Sequence, residues 1–204
     1  MIKNTSQAIK ETQFGIKYNY KLTTADISTP RANNIYQKAL KLLDGGNKDK
    51  GMALIRQLNN IFGQVVSYDH NIVPTVGLTE LAKAISGNTT GLDQLEINYG
   101  AVGNGTGTPA LGDTALDSEE FRKTDSSLTY ALGKAYVTMF YTATDFTTTG
   151  AIGNLKEHAL FIDGATGADS GTLWSRVLLN SPTGIAKTNL QSLTIDYEVE
   201  FTNA

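Results

Sequence analysis

The hydrophobic pattern is clearest at the two ends of the chain. In "QFGIKYNYKL", residues 13–22, Phe14, Ile16, Tyr18, Tyr20 and Leu22 share one parity, while Lys17, Asn19 and Lys21 occupy the other. Near the end of the chain, Leu193, Ile195, Tyr197, Val199 and Phe201 alternate with Thr194, Asp196, Glu198, Glu200 and Thr202. Successive side chains of a strand point to opposite faces, so this alternation predicts two strands, each with one wet face, as in antiparallel sheets.

A 3.6-residue period replaces the alternation between residues 33 and 63. Ile35, Ala39, Leu42 and Leu43 share one face, and so do Met52, Ile55, Leu58 and Phe62. "DGGN" at 44–47 divides the two runs, because paired glycines supply the positive φ of a tight reversal. An αα-hairpin follows from this, and no second copy of it is present to build a solenoid. Leu78, Leu81, Ala82 and Ile85 form a shorter stripe ahead of Gly87, which predicts a third helix over 78–86.

From about residue 94 the chain is rich in strand patterns. "QLEINYGAV" is a strand running into a glycine loop. "SLTYALGKAYVTMFYTA" is apolar on both parities around Val137, Met139 and Tyr141, which predicts one long central strand. "HALFIDG" and "TLWSRVLL" flank the turn "GATGADSG" as a β-hairpin, with Trp174 as a core anchor, and "GIAKTNLQ" leads into the last strand. The expected fold is mainly β, an antiparallel β-sandwich with an N-terminal αα-hairpin and a short helix, α+β overall. The expected division is an arm with a strand over 1–25, the helical hairpin over 26–68 and the sandwich over 69–204.

Composition narrows the function. The 204 residues carry a net charge of −3, which leaves no bulk electrostatic footprint for nucleic acid. No run of eighteen apolar residues predicts a membrane span. With no cysteine in the chain, disulfides, thiolate metal sites and cysteine nucleophiles are excluded. "MIKNTSQAIKETQF" has an early lysine without an apolar run behind it, which predicts no secretory signal and synthesis in a cytoplasm.

The candidate chemistry begins with "NYGAVGNGTGTPALGDTAL", residues 98–116. Gly103 and Gly105 have the spacing of a dinucleotide fingerprint, but Thr108 stands at its last position. No lysine follows as a P-loop requires. Gly103, Gly105, Gly107 and Pro109 therefore read as a wide, bend-permitting connection rather than a phosphate cradle. Asp113, Asp117, Glu119 and Glu120 have the density that calcium favours but not the alternate-residue order of a calcium loop. A short helix capped by Asp117 or Ser118, with Glu119 and Glu120 in its first turn, accounts for them, and Arg122 pairs with a nearby acid. Asp163 and Asp169 read as an Asx-stabilised turn, with calcium as the open alternative for both loops. His70 and His158 lack a converging carboxylate, and no G-x-S-x-G elbow is present. Glu96 and Glu157 are the pair that an acid–base mechanism would draw on, without any spacing that singles them out. No catalytic, cofactor-binding or metal-binding residue is expected.

Three stretches taken in order, "AVGNGTGTPALGDTALDSEEFRK", "LKEHALFIDGATGADSGTLWSRVLL" and "IAKTNLQSLTIDYEVEF", resemble a widespread group of tailed-bacteriophage virion proteins. The matching positions are Gly105 to Pro109, Asp113 and Leu116, Glu119 and Arg122, and Glu157 with Leu160 and Phe161. They continue with Thr166 and Gly167, Arg176, and Lys187 with Leu193 to Phe201. "NIVPTVGLTELAKAISG" fits the short helix that precedes this block. The resemblance covers about residues 70–204; Ala159 replaces a commoner glycine, and "ADS" enlarges the turn after Gly167.

The resemblance implies a non-enzymatic virion protein in the tail, neck, baseplate or capsid surface. It would act by self-association and by docking to other virion proteins, with no cofactor, nucleic acid or membrane. Phe14, Ile16, Tyr18, Tyr20 and Leu22 are candidate subunit contacts if their strand adds to a neighbour's sheet; pairing within the chain is the alternative. A glycan- or cell-surface-binding fibre module is the other functional reading, and it would need aromatic rings such as Tyr99, Tyr130 and Tyr141 on its surface.

Overall fold

The computed structural model describes residues 14–70, 72–87, 96–148 and 153–203. The N-terminal signal reading, most of the predicted arm, and the side chains of Phe14, Tyr18 and His70 lie outside the described set. The elements in chain order are β1 (Phe14–Asp26), α1 (Pro30–Asp44), α2 (Lys48–Phe62), β2 (Gly63–His70), α3 (Thr75–Ile85) and β3 (Ile97–Gly103). They continue with β4 (Glu119–Thr124), β5 (Ser127–Ala131), β6 (Lys134–Tyr141), β7 (Glu157–Ile162), β8 (Thr172–Leu178) and β9 (Gln191–Asn203).

Two antiparallel sheets result, ordered β2-β1-β9-β6-β5 and β4-β3-β7-β8. The alternation seen in the sequence has a direct structural meaning. Tyr20 and Leu22 of β1, Val137, Met139 and Tyr141 of β6, and Ile195, Tyr197 and Val199 of β9 turn inward. They meet Val102, Leu160, Ile162 and Trp174 of the second sheet in the main core. This apolar burial is the dominant stabilising contribution to a sandwich of this kind.

The helical hairpin covers the outer face of the five-stranded sheet. Thr29 caps α1 by accepting the Ala32 N–H at 3.2 Å, with Pro30 at the first helical position, and Gly46 (φ 77°) makes the reversal into α2. Ala32, Tyr36, Ala39, Met52, Ile55 and Leu58 then pack on Ala25 and Phe140. The Tyr36 hydroxyl accepts the Ala143 N–H at 2.8 Å, which fixes the hairpin to the segment after β6.

Several predicted elements need correction. Residues 127–141 form two strands, because Leu132 (φ 49°) and Gly133 (φ 78°) both adopt the left-handed backbone of a tight hairpin turn. Leucine is unusual there, so the turn is weakly signalled. Residues 119–124 are strand β4 rather than a capped helix: they pair with β3, and Phe121 reaches the core. The buried face of α3 is Gly77 and Glu80, while Leu78 and Ile85 of the predicted stripe are exposed. Gly77 is required there because a Cβ would lie 3.0 Å from the Trp174 carbonyl oxygen. Strand β2 has adjacent Val65 and Val66 instead of clean alternation, and the sequence reading missed it.

β1 takes the second of the two readings open to it, pairing within the chain. It runs between β2 and β9, pairing with β9 along its whole length and with β2 from Asn19 to Ala25. Tyr20 and Leu22 are buried in the chain's own core, and Ile16 packs against it. β1 and β2 belong to the sheet that holds β5, β6 and β9, so that sheet runs across the boundaries at 25 and 68. A chain lacking residues 1–69 is expected to lose cooperative thermal unfolding, as followed by calorimetry and near-UV circular dichroism, because β9 would keep β6 but lose its other partner strand, β1, along its entire length.

Candidate functional site

The glycine loop folds over the outer face of the four-stranded sheet and encloses a buried ionic cluster. Glu157, the first residue of β7, is fully buried. Its Oε1 accepts the backbone N–H groups of Gly105 (3.1 Å) and Ser118 (2.8 Å). Oε2 accepts the Asp117 N–H (3.1 Å) and two bonds from Arg176, Nε at 3.0 Å and Nη2 at 2.8 Å. Five donors thus satisfy one carboxylate. Arg176 is also buried and donates to Asp113 (2.7 Å) and to the Gly107 carbonyl (3.1 Å), with Asp117 at 3.0 Å.

The glycines follow from this packing. A Cβ at Gly103 or Gly105 would collide with Glu157, and one at Gly107 with Asp117. Pro109 is half-buried in the same loop, and Leu116 fills the outer apolar cluster with Ala101, Ala159, Phe161 and Leu173. Asp117 accepts the Gly107 N–H instead of capping a helix.

Two further clusters use residues that carry the sequence resemblance. Arg122 pairs with Glu119 and donates to the Ala165 carbonyl (3.1 Å) and the Ser170 carbonyl (2.9 Å) and hydroxyl (2.7 Å), so it fastens the turn containing Thr166 and Gly167. Its guanidinium lies 4.6 Å from the Phe161 ring centre. Lys187 is buried, donates to the carbonyls of Ala143 (3.0 Å) and Phe146 (2.7 Å), and sits 4.7 Å from the Phe146 ring centre. Burial lowers its pKa to about 8.

The remaining candidates are dispersed. Glu96 precedes β3 and is exposed, whereas Glu157 pairs opposite Gly103 at the other end of that strand. Seven residues of strand hold them on the order of 20 Å apart, too far for an acid–base pair. Asp113 and Asp117 are engaged by Arg176. Asp163 and Asp169 take positive φ values of 53° and 56° in the β7–β8 loop. Among the described residues, no group of three or more His, Asp or Glu side chains is arranged to hold a metal ion.

The sequence reading also missed a polar triad. His158, at the start of β7, is fully buried between two tyrosines, with the Tyr141 hydroxyl 3.0 Å from Nε2 and the Tyr197 hydroxyl 2.5 Å from Nδ1. A neutral imidazole offers one donor and one acceptor, which two hydroxyls can satisfy. Burial lowers the imidazole pKa to about 3.

The described residues leave an apolar surface open at the β5 edge. Leu128 and Tyr130 of edge strand β5, with Ala135 of β6, Ile97, Ile162 and Trp174, line an open apolar cavity of about 390 Å³ with Glu96 and Leu81 at its wall. Tyr130 is 89 % exposed, and Leu132 at the hairpin tip is fully exposed. Of the three tyrosines considered for glycan stacking, Tyr130 alone presents its ring to solvent. Tyr141 is buried, and Tyr99 is half-buried beside Arg122.

Comparison with known proteins gives no match to a family model, a curated protein or a solved structure.

Glu157→Gln is expected to destabilise the fold by about 2–3 kcal/mol in denaturant titrations, since it removes the one fully buried counter-charge of Arg176 and leaves it the more exposed Asp113 and Asp117. The double variant with Arg176→Met should cost less than the sum of the singles. The histidine carries a separate pH signature. Its folded pKa of about 3 lies below the unfolded value of 6.5, so its stabilising contribution is complete above pH 6.5 and is lost as pH falls towards 3. His158→Gln should flatten that part of the curve of melting temperature against pH.

Proposed function

We propose that the protein is a non-enzymatic structural component of a tailed-bacteriophage particle, working by self-association and by docking to neighbouring virion subunits. The observation that carries this reading is where the resemblance residues lie. Gly105, Gly107, Asp113, Glu157 and Arg176 converge in one closed ionic cluster, Glu119 and Arg122 fasten the β7–β8 loop, and Lys187 holds the segment after β6. Residues scattered over eighty positions thus specify a framework, and their charged groups are engaged in holding loops.

A framework of this kind suits a particle subunit, whose task is to keep a fixed shape while its surface makes repeated contacts. The carboxylate that a cell-wall hydrolase would draw on, Glu157, accepts five hydrogen bonds beneath the glycine loop. This arrangement supports a scaffold over an acid–base catalyst. The chain is made in the host cytoplasm and resides in the virion under this reading.

The test is assembly of the purified chain, followed by light scattering after size exclusion and by negative-stain electron microscopy. A discrete dimer, ring, trimer or lattice, or saturable retention on phage particles, is the expected result. A chain that stays monomeric at high concentration and does not bind particles would remove the reading. A comparison chain lacking only residues 1–13 keeps both β1 and β2, and so separates a role of that segment from loss of the fold.

A further inference from the structure

Of the four edge strands among the described residues, β5 alone carries no charged residue. β4 contains Glu119, Glu120, Arg122 and Lys123, β2 contains Asp69, and β8 contains Arg176. The edge at β8 is also partly occupied, because Ile72 bridges to Arg176. Natural edge strands are commonly protected by charge, proline or a covering segment, and an uncharged edge rich in apolar side chains invites another strand. β5 reads Ser-Leu-Thr-Tyr-Ala, with no glycine or proline, and its tip continues into Leu132. Leu128, Tyr130 and Leu132 are all exposed.

We infer that β5 is a docking edge for β5 of a second copy of this chain, paired antiparallel about a twofold axis at Thr129. The inference rests on the self-association reading and specifies its contact. Two features suit a second copy. The strand is uncharged, so an identical strand meets no like-charge repulsion. The register is self-complementary: Leu128 falls opposite Tyr130 of the second copy, and Ser127 opposite Ala131.

The cavity then has an occupant. Leu128 and Tyr130 line it in one protomer. Pairing at this edge carries the exposed Tyr130 and Leu132 of the second copy to its mouth, and the two five-stranded sheets become one continuous sheet. An isologous contact of this type buries the same patch twice, including the apolar side chains that the single chain leaves in water.

The experiment uses the full chain of 204 residues. Light scattering over a concentration series is compared for wild type, for the double variant Tyr130→Lys/Leu132→Lys, and for Leu190→Lys, an exposed control ahead of β9. Circular dichroism and melting temperature establish that each variant is folded. Because the chain has no cysteine, Thr129→Cys adds a single thiol. Two such residues facing each other across an antiparallel pair stand about 4.5–5.5 Å apart, within disulfide range.

The expected result is association weakened at least about tenfold in the double variant but not in the control, because introduced lysines face each other across an apolar contact. Thr129→Cys should give covalent dimer under mild oxidation, whereas Leu190→Cys should not. If wild type associates, the double variant associates equally and Thr129→Cys fails to cross-link, this contact is wrong while self-association stands. A wild-type chain that remains monomeric throughout overturns both.

Discussion

The bond between Glu157 and Arg176 is the interaction on which the outer half of the molecule depends. It joins adjacent strands, β7 and β8, beneath a loop that would otherwise have no reason to lie down. Buried charges require several partners to offset lost hydration, and this pair recruits them from the loop: the amides of Gly105, Asp117 and Ser118, the carbonyl of Gly107, and the Asp113 carboxylate. The loop is held down because it completes the hydrogen bonding of the pair. In turn it leads into β4 and supplies Leu116 to the outer apolar cluster. α3 is tied to the same region, since the Thr75 N–H donates to the Leu111 carbonyl at 2.8 Å.

This explains why the glycines are needed without any phosphate. Their function is to bring backbone within hydrogen-bonding distance of a carboxylate, and a Cβ at Gly103 or Gly105 would occupy the space of that carboxylate. The same demand for close approach usually suggests a ligand, but here the group approached belongs to the chain. Buried His158, placed between Tyr141 and Tyr197, performs the corresponding task inside the sandwich by linking β7 to β6 and β9 across the two sheets. Polar groups thus join the sheets at His158 and where the Tyr20 hydroxyl donates to the Leu178 carbonyl, and roof one of them elsewhere, while apolar packing supplies most of the cohesion between them.

The resulting surface is uneven. Helices cover one outer face, the glycine loop the other, and charged residues run along β4, yet β5 presents leucine and tyrosine to solvent. Among the described residues, β5 is the edge strand that carries no charge. The charged residues behind the phage resemblance are engaged in architecture, so contacts between subunits would fall on edges and tips where the resemblance has no residues.

Local patterns determined much of this protein in advance. Alternation at 14–22 and 193–201 specified two half-buried strands, the 3.6-residue period with the Asp-Gly-Gly-Asn break specified the helical hairpin, and the β7–β8 hairpin was readable from its turn. These features survive because side-chain period and turn chemistry are properties of a few neighbouring residues. Long-range pairing decided the rest. Residues 119–124 have acidic residues suited to a helix start, but β3 offered them a partner strand. The turn at Leu132 and Gly133 gains its stability from β5 meeting β6, and α3 buries Gly77 because it must approach the β8 backbone. The role of Glu157 was out of reach for the same reason: its partners are 19 to 52 residues away in sequence. A charge 19 residues from its counter-charge gives no local signal, and only the fold brings the two together.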